Sequence, residues 1–292
     1  MTADGEGPDA GTPAAGDRPD DTRDRASLDP TALDRYSRQV VLREVGSEGQ
    51  RRLREAAVLV VGAGGLGAPA VGYLAGAGVG TLTVADGDDV ERSNLHRQPV
   101  HGEDDVGRPK TDSAREFVAG LNPDVDVHTH GVVDPETARD LVAAHDLVLD
   151  CTDSFRARYL LNDACVLAGV PLVGGAVHRF EGRLVGVDAG GDPCYRCVFP
   201  EAPEPDAVPS CAEVGVLGPV PGVVGATQAA EALKRLLGVG DPLSGRLVVH
   251  DALGSEVETV PFSSRADCPV CGEAPIESLA AVTYEGTCAV GD

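Results

Sequence analysis

The chain has 292 residues, 42% of them apolar, and sets 47 acidic against 24 basic side chains for a net charge of −23. Such a length can bury a full core, while the acidic balance speaks against nucleic acid or an anionic membrane as main partner, because phosphate recognition relies on clustered Lys and Arg. Only Lys110 and Lys234 are lysines, a composition suited to a high-salt cytoplasm; no run approaches the ~20 apolar residues of a membrane span and no signal-like region opens the chain, so a cytoplasmic location is expected.

Residues 1–27 are mostly Gly, Pro, Asp, Ala, Thr and Arg without an apolar face. Ordering them would cost more entropy than burial returns, so a disordered acidic tail is expected. Residues 28–57 read as an N-terminal arm: a short helix or arm over 31–42, crowded by Arg35, Arg38 and Arg43, then a helix over 48–56. The apolar run 58–61 suits a strand buried on both faces of a parallel sheet and leads into Gly62-Ala63-Gly64-Gly65-Leu66-Gly67. Gly62 and Gly64 permit a tight turn close to phosphate, and Gly67 lets the next helix lie on the sheet with its free N–H groups toward the anion. A second apolar run, 81–85, ends in Asp86, where a ribose-hydroxyl acceptor belongs, roughly 20 residues beyond the glycines. This pattern alone fits dehydrogenases, methyltransferases and nucleotidyl-transfer enzymes. The cluster Ser93-Asn94-Leu95-His96-Arg97-Gln98 and the run Gly107-Arg108-Pro109-Lys110 favour an enzyme that grips a triphosphate.

The alternation continues with a helix over 111–119, a strand over 125–129, a helix over 135–143 and a strand over 146–150. The expected fold class is therefore α/β, a Rossmann-like doubly wound sheet. The fourth strand ends at Asp150-Cys151-Thr152-Asp153, which places Asp153 in the ligand crevice beyond the strands' carboxyl ends. A helix over 155–168 follows, then strands over 171–177 and 183–189 whose short connection predicts an antiparallel hairpin. The parallel half, 58–180, thus passes into an antiparallel half, 181–275. The loop 199–217 is too long for a plain connector and carries Cys211. A helix over 220–237 ended by Gly238, strands over 246–253 and 256–262, and a loose tail over 276–292 complete the reading.

Of eight cysteines, four form the pairs Cys194/Cys197 and Cys268/Cys271. Two Cys-x-x-Cys pairs complete a tetrahedral four-sulfur shell, so a structural zinc site in a reducing compartment is expected, closing a long loop. A redox dithiol is the rival reading; four thiolates leave no open position for a catalytic ion. Cys151 and Cys165 read as core and Cys288 as an inert tail thiol. Among the histidines only His96 lies in the nucleotide cluster; His101, His128, His130, His145, His178 and His250 read as ordinary surface or strand residues.

The motifs Arg35-Tyr36-Ser37-Arg38-Gln39, Gly62 to Gly67, Asp86-Gly87-Asp88, Ser93 to Gln98, Gly107 to Lys110, Asp150 to Asp153 and both cysteine pairs resemble, in order and spacing, the ThiF/MoeB-type activating enzymes for ubiquitin-like and sulfur-carrier proteins, from about Tyr36 to Cys271. The resemblance implies ATP- and Mg²⁺-dependent adenylation of the C-terminal glycine of a small β-grasp carrier ending in Gly-Gly, for protein conjugation, sulfur transfer (molybdopterin, tRNA thiolation), or both. It implies an ATP site of Gly62, Gly64, Gly65, Gly67, Asp86, Asp88, Ser93, Asn94, Leu95, His96, Arg97, Gln98, Lys110, Asp153 and Ser154. Within that site Arg97 and Lys110 would grip phosphates, Asp86 the ribose hydroxyls, and Asp153 would organise Mg²⁺. Arg38 would reach the phosphates of the neighbouring subunit of a homodimer. Cys211 stands where thioester-forming members receive the acyl group, although Glu201, Glu204, Asp206 and Glu213 around it oppose a thiolate. With no rhodanese-like domain after Cys271, a separate sulfur donor protein is expected, and the composition implies a haloarchaeal member serving both pathways. An adenylating relative acting on a small molecule or tRNA, and a non-catalytic carrier-binding scaffold, are the alternatives; Arg38, Asp86, Arg97, Lys110 and Asp153 speak against the scaffold.

Overall fold

The computed structural model describes residues 28–201 and 215–284. The expected tail 1–27, Cys211 with most of its loop, and residues 285–292 with Cys288 lie outside the described residues.

Eight strands form one mixed sheet: β1 (Ala57–Val61), β2 (Thr81–Ala85), β3 (Asp126–His130), β4 (Leu147–Asp150), β5 (Leu172–His178), β6 (Glu181–Val187), β7 (Arg246–Asp251) and β8 (Glu256–Pro261), in the order β3-β2-β1-β4-β5-β6-β7-β8. The first five strands are parallel, and β5 to β8 pair antiparallel. The change at the β5–β6 hairpin agrees with the expectation near residue 180. From β1 the chain winds outward to β2 and β3, then returns to the other side of β1 as β4 and β5. That reversal makes the β1/β4 edge the topological switch point, where an open α/β sheet binds its ligand.

The helices are α1 (Pro30–Arg35), α2 (Ser37–Val40), α3 (Gly46–Glu55), α4 (Gly67–Ala77), α5 (Lys110–Leu121), α6 (Ala138–Ala143), α7 (Phe155–Ala168), α8 (Tyr195–Val198) and α9 (Pro219–Leu237). Strand parity divides the core into two layers. Val58 and Val60 of β1 pack with α4, α5 and α9, while Leu59 and Val61 face α6, α7 and the paired cysteines. Strands β1 and β4 are apolar on both faces because both faces are covered. At the far edge β7 is half-buried and β8 exposed along its length.

Three local expectations are corrected. The arm is two short helices with Tyr36 between them; Tyr36 is buried, and its hydroxyl accepts from Asn122 Nδ2 at 2.8 Å. Helix α6 begins at Ala138, since the Asp134 carboxylate takes the N–H groups of Glu136 and Thr137 at 2.9 and 2.8 Å and holds 134–137 as a turn. Residues 276–284, expected to be loose, dock on α7: Leu279 is buried, and the Tyr284 hydroxyl donates to Asp163 Oδ2 at 3.0 Å. No helix among the described residues is long and apolar enough to cross a membrane.

Candidate active site and metal centre

The turn after β1 exists only because two glycines admit it. Gly62 sits at φ +97°, and a Cβ there would lie 2.7 Å from the Cys151 carbonyl oxygen; a Cβ on Gly67 would strike the carbonyl of Gly62. The close approach locks the glycine turn to the turn after β4. Gly62→Ala is expected to cost more than about 1 kcal/mol, measured as a fall in the denaturant midpoint, because alanine meets both the wrong φ and a backbone oxygen. No side chain caps α4, and because Ala68 N donates to the Gly64 carbonyl at 2.9 Å and Pro69 has no N–H, Gly67 is the residue of its first turn with an N–H left for an anion.

Asp86 lies directly after β2, its carboxylate accepting from Ala63 N at 2.7 Å and from Asp88 N at 2.8 Å. Burial holds its pKa above the usual carboxylate value, opposed by the charge of Lys110. Lys110 opens α5 with its side chain 8% exposed, and its Nζ donates to Asp88 Oδ2 at 2.7 Å. The glycine turn, Asp86, Asp88 and Lys110 are thus one connected assembly.

The cluster expected at 93–98 folds as a 3-10 turn over Arg92–Asn94. Asn94 is buried, and its Oδ1 accepts from Glu91 N at 3.1 Å, so its amide shapes the turn. Ser93 donates to Glu91 Oε2 at 2.9 Å. Arg97 Nη1 donates to the Ser93 carbonyl and to His96 Nε2, each at 2.9 Å, which leaves the proton of a neutral His96 on Nδ1. Gln98 is 3% exposed, and its Oε1 has no hydrogen-bond partner among the described residues. Its Nε2 is 3.5 Å from where a Gly64 Cβ would be, so the Gln98 amide borders the glycine turn, and its unpartnered oxygen suits a donor-bearing ligand. The start of α9 walls this side, with Pro221 against Gly65 and Gly218 against His96.

Across the crevice, exposed Asp153 follows β4. The neighbouring Ser154 caps α7, its Oγ accepting from Ala157 N at 3.4 Å. Arg38 is not brought into this site. It is exposed on α2 without an ion pair among the described residues, and adjacent Gln39 bonds the carbonyl of Ala77, the last residue of α4. The glycine turn lies at the other end of that helix, about 15 Å away.

His101 overturns the expectation of an ordinary histidine. It is buried under the glycine turn, with Nε2 at 3.0 Å from the Ala63 carbonyl and Nδ1 at 2.8 Å from Ser113 Oγ. A carbonyl can only accept, so Nε2 carries the proton and Nδ1 accepts from the serine. Burial lowers its pKa, which favours that neutral form. His145 is likewise half-buried, bonded to the Leu141 carbonyl and Thr83 Oγ1. Nothing in a single histidine's sequence neighbourhood separates these from surface ones. Cys151 and Cys165 are core, as expected.

The ligand sulfurs of Cys194, Cys197, Cys268 and Cys271 all lie within 4.8 Å of one another, with Cys194–Cys268 at 3.6 Å and Cys197–Cys271 at 3.4 Å. Thiolates around a tetrahedral ion at ~2.3 Å stand about 3.8 Å apart, so the cluster fits one. Burial raises the Cys194 pKa and pushes the Cys271 thiol up to about 12, so ligation would be coupled to proton release.

Residues 36–270 match the model of the ThiF family, and the chain belongs to that family. It is 55% identical over 265 residues to the SAMP-activating enzyme E1 of Haloferax volcanii, covering 90% of this chain and 98% of that protein. It is 48% identical over 262 residues to the sulfur carrier protein adenylyltransferase of Thermus thermophilus, covering 88% and 96%. The adenylyltransferase and sulfurtransferase MOCS3 of Bos taurus is 51% identical over 253 residues, which are 86% of this chain and 56% of that one. A crystal structure of E. coli MccB with AMPCPP and MccA superposes with a TM-score of 0.74 at 22% identity over 86% of this chain and 76% of that one, a likeness of fold.

Proposed function

We propose that the protein adenylates the C-terminal glycine of a small β-grasp, ubiquitin-like or sulfur-carrier protein ending in Gly-Gly, with ATP as the nucleotide. The supporting observation is the assembly of glycine turn, Asp86 and buried Lys110 in a chain 55% identical, nearly end to end, to a SAMP-activating enzyme. A carboxylate oxygen of the carrier attacks the α-phosphorus. An acyl–O–P bond forms, the bond to the β-phosphate oxygen breaks, and pyrophosphate leaves. Each like-charge pair near 4 Å costs about 4 kcal/mol at an effective dielectric near 20. Lys110 and Arg97 offset this repulsion at the phosphates, with Lys110 exchanging Asp88 for the ligand. Asp86 takes the ribose hydroxyls, and Asn94 and Gln98 add neutral hydrogen bonds. Asp153 offers carboxylate oxygens of the kind Mg²⁺ takes together with phosphate oxygens, and that ion when bound neutralises phosphate charge. The test is mass spectrometry of a Gly-Gly carrier incubated with enzyme, ATP and Mg²⁺. A carrier-AMP adduct is expected; a carrier that stays unmodified on active-folded protein contradicts the reading.

The enzyme works as a homodimer in which Arg38 enters the partner's site. Its remoteness from its own glycine turn supports this, as do exposed Val41, Leu42 and Tyr73 beside a groove of about 360 Å³ lined by Gln39, Tyr73, Ala77, Ala226, Ala230 and Leu233. Mixing Arg38→Ala with Lys110→Ala protein in equal amounts should restore up to about a quarter of wild-type activity, since about one site in four of a randomly mixed population carries both intact groups; no recovery argues against sharing. Residues 181–275 form the carrier-binding and zinc half, the cysteines hold structural zinc, and the protein acts in the cytoplasm with a separate sulfur donor. Cys211 takes the acyl group from the adenylate as a thioester, releasing AMP, for conjugation or sulfur transfer. Cys211→Ser should trap an oxyester, and unchanged conjugation in cells refutes that role.

A further inference from the structure

The turn that carries Asp153 is held from beneath by two buried charges, Asp150 at the head of the Asp150–Asp153 motif and Arg158, which no motif includes. Asp150 is fully buried; its Oδ1 accepts from Thr152 N at 3.0 Å and Thr152 Oγ1 at 2.6 Å, and its Oδ2 from Arg158 Nε at 3.3 Å. Arg158, on the second turn of α7 and 8% exposed, donates through Nη2 to the Thr152 carbonyl at 2.8 Å and the Gly175 carbonyl at 3.0 Å. Thr152 is therefore gripped at its N–H, its hydroxyl and its carbonyl, which fixes the direction in which the chain leaves for Asp153. An ion pair this deep costs desolvation that an apolar pair would not, so it needs a return in geometry.

The same guanidinium is braced by the metal centre. Its carbon lies 6.0 Å from the ring centroid of Tyr195 and 5.8 Å from that of Phe155. Tyr195 and Arg196 are the spacer between Cys194 and Cys197. Tyr195 N donates to Asn162 Oδ1 at 2.8 Å, and Arg196 forks onto Asp163 at 2.8 and 2.7 Å, both partners lying on α7. Hydrogen bonds and ring contacts thus join the spacer of the first cysteine pair, α7 and the Asp153 turn.

We propose that Arg158 is the positioning residue for Asp153, acting through Thr152 and Asp150, and that the Tyr195–Arg196 spacer holds it in place. The inference rests on the reading of Asp153 as the Mg²⁺ ligand. A lysine keeps the charge of Arg158 but cannot span two carbonyls and a carboxylate. Calorimetric titration of the full-length protein with ATP, with and without Mg²⁺, separates positioning from general damage. For Arg158→Lys the affinity without Mg²⁺ should stay at the wild-type level, while the gain conferred by Mg²⁺ falls about 10-fold or more, as for partners of metal ligands elsewhere. Thr152→Val, which removes one hydroxyl, should lose part of the same gain. An undiminished Mg²⁺ gain in Arg158→Lys overturns the proposal, as does an equal loss of affinity under both conditions. If Arg158→Lys fails to fold, an undiminished gain in Thr152→Val is sufficient to overturn it. Wild-type affinity that ignores Mg²⁺ defeats the Asp153 assignment first, and this inference with it.

Discussion

Lys110→Ala lowers carrier-dependent adenylation by about 10²–10³-fold, the scale set by removing one preorganised donor from developing phosphate charge. The effect is large because the ammonium group is fixed before ATP arrives. Its side chain is 8% exposed at the first residue of α5, and Asp88 holds its tip at 2.7 Å. Little refolding of the site accompanies binding. The stability cost is small, about 1 kcal/mol or less, since the abandoned Asp88 is 65% exposed and returns to water. Steady-state rates with Lys110→Ala and Lys110→Met, beside melting curves, check both statements. A loss of activity in proportion to unfolded protein would assign Lys110 to the fold alone.

Disrupting the four-cysteine site is expected to have the opposite signature, in stability before chemistry. The four cysteines tie the segment after β6 to the segment after β8, and Cys194, Cys197 and Cys268 are buried in the same layer as α7. Cys268→Ser is expected to release the ion and to destabilise the protein by on the order of 5 kcal/mol, part of the ~10 kcal/mol that structural zinc supplies to small fingers. Native protein should carry one zinc per chain by inductively coupled plasma mass spectrometry, and fewer than about half an ion per chain would refute a structural site of four thiolates.

The central parallel strands were legible because strands buried on both faces write continuous apolar runs, as at 58–61 and 147–149. The glycine turn, Asp86 and the cysteine pairs were legible for a related reason: each works through local spacing. What escaped was polar and long-range. His101 reads as a surface histidine until Ala63 and Ser113 are folded around it. Arg158 lies in ordinary helix text, and although Asp150 opens a recognised motif, only folding makes the two charges mutual and buried. The docking of 276–284 depends on Leu279 and Tyr284 meeting α7, a contact with no periodic trace. Asn94 and Ser154 sit within the expected site, yet Asn94 Oδ1 serves a turn and Ser154 Oγ a helix cap.

The most direct test of the central claim is ATP–pyrophosphate exchange by the purified protein with and without a small β-grasp carrier ending in Gly-Gly. Exchange that appears only with the carrier, and disappears when its final glycine is deleted, is the predicted result. Exchange that proceeds equally without any carrier, or is absent with every Gly-Gly carrier supplied, would contradict it.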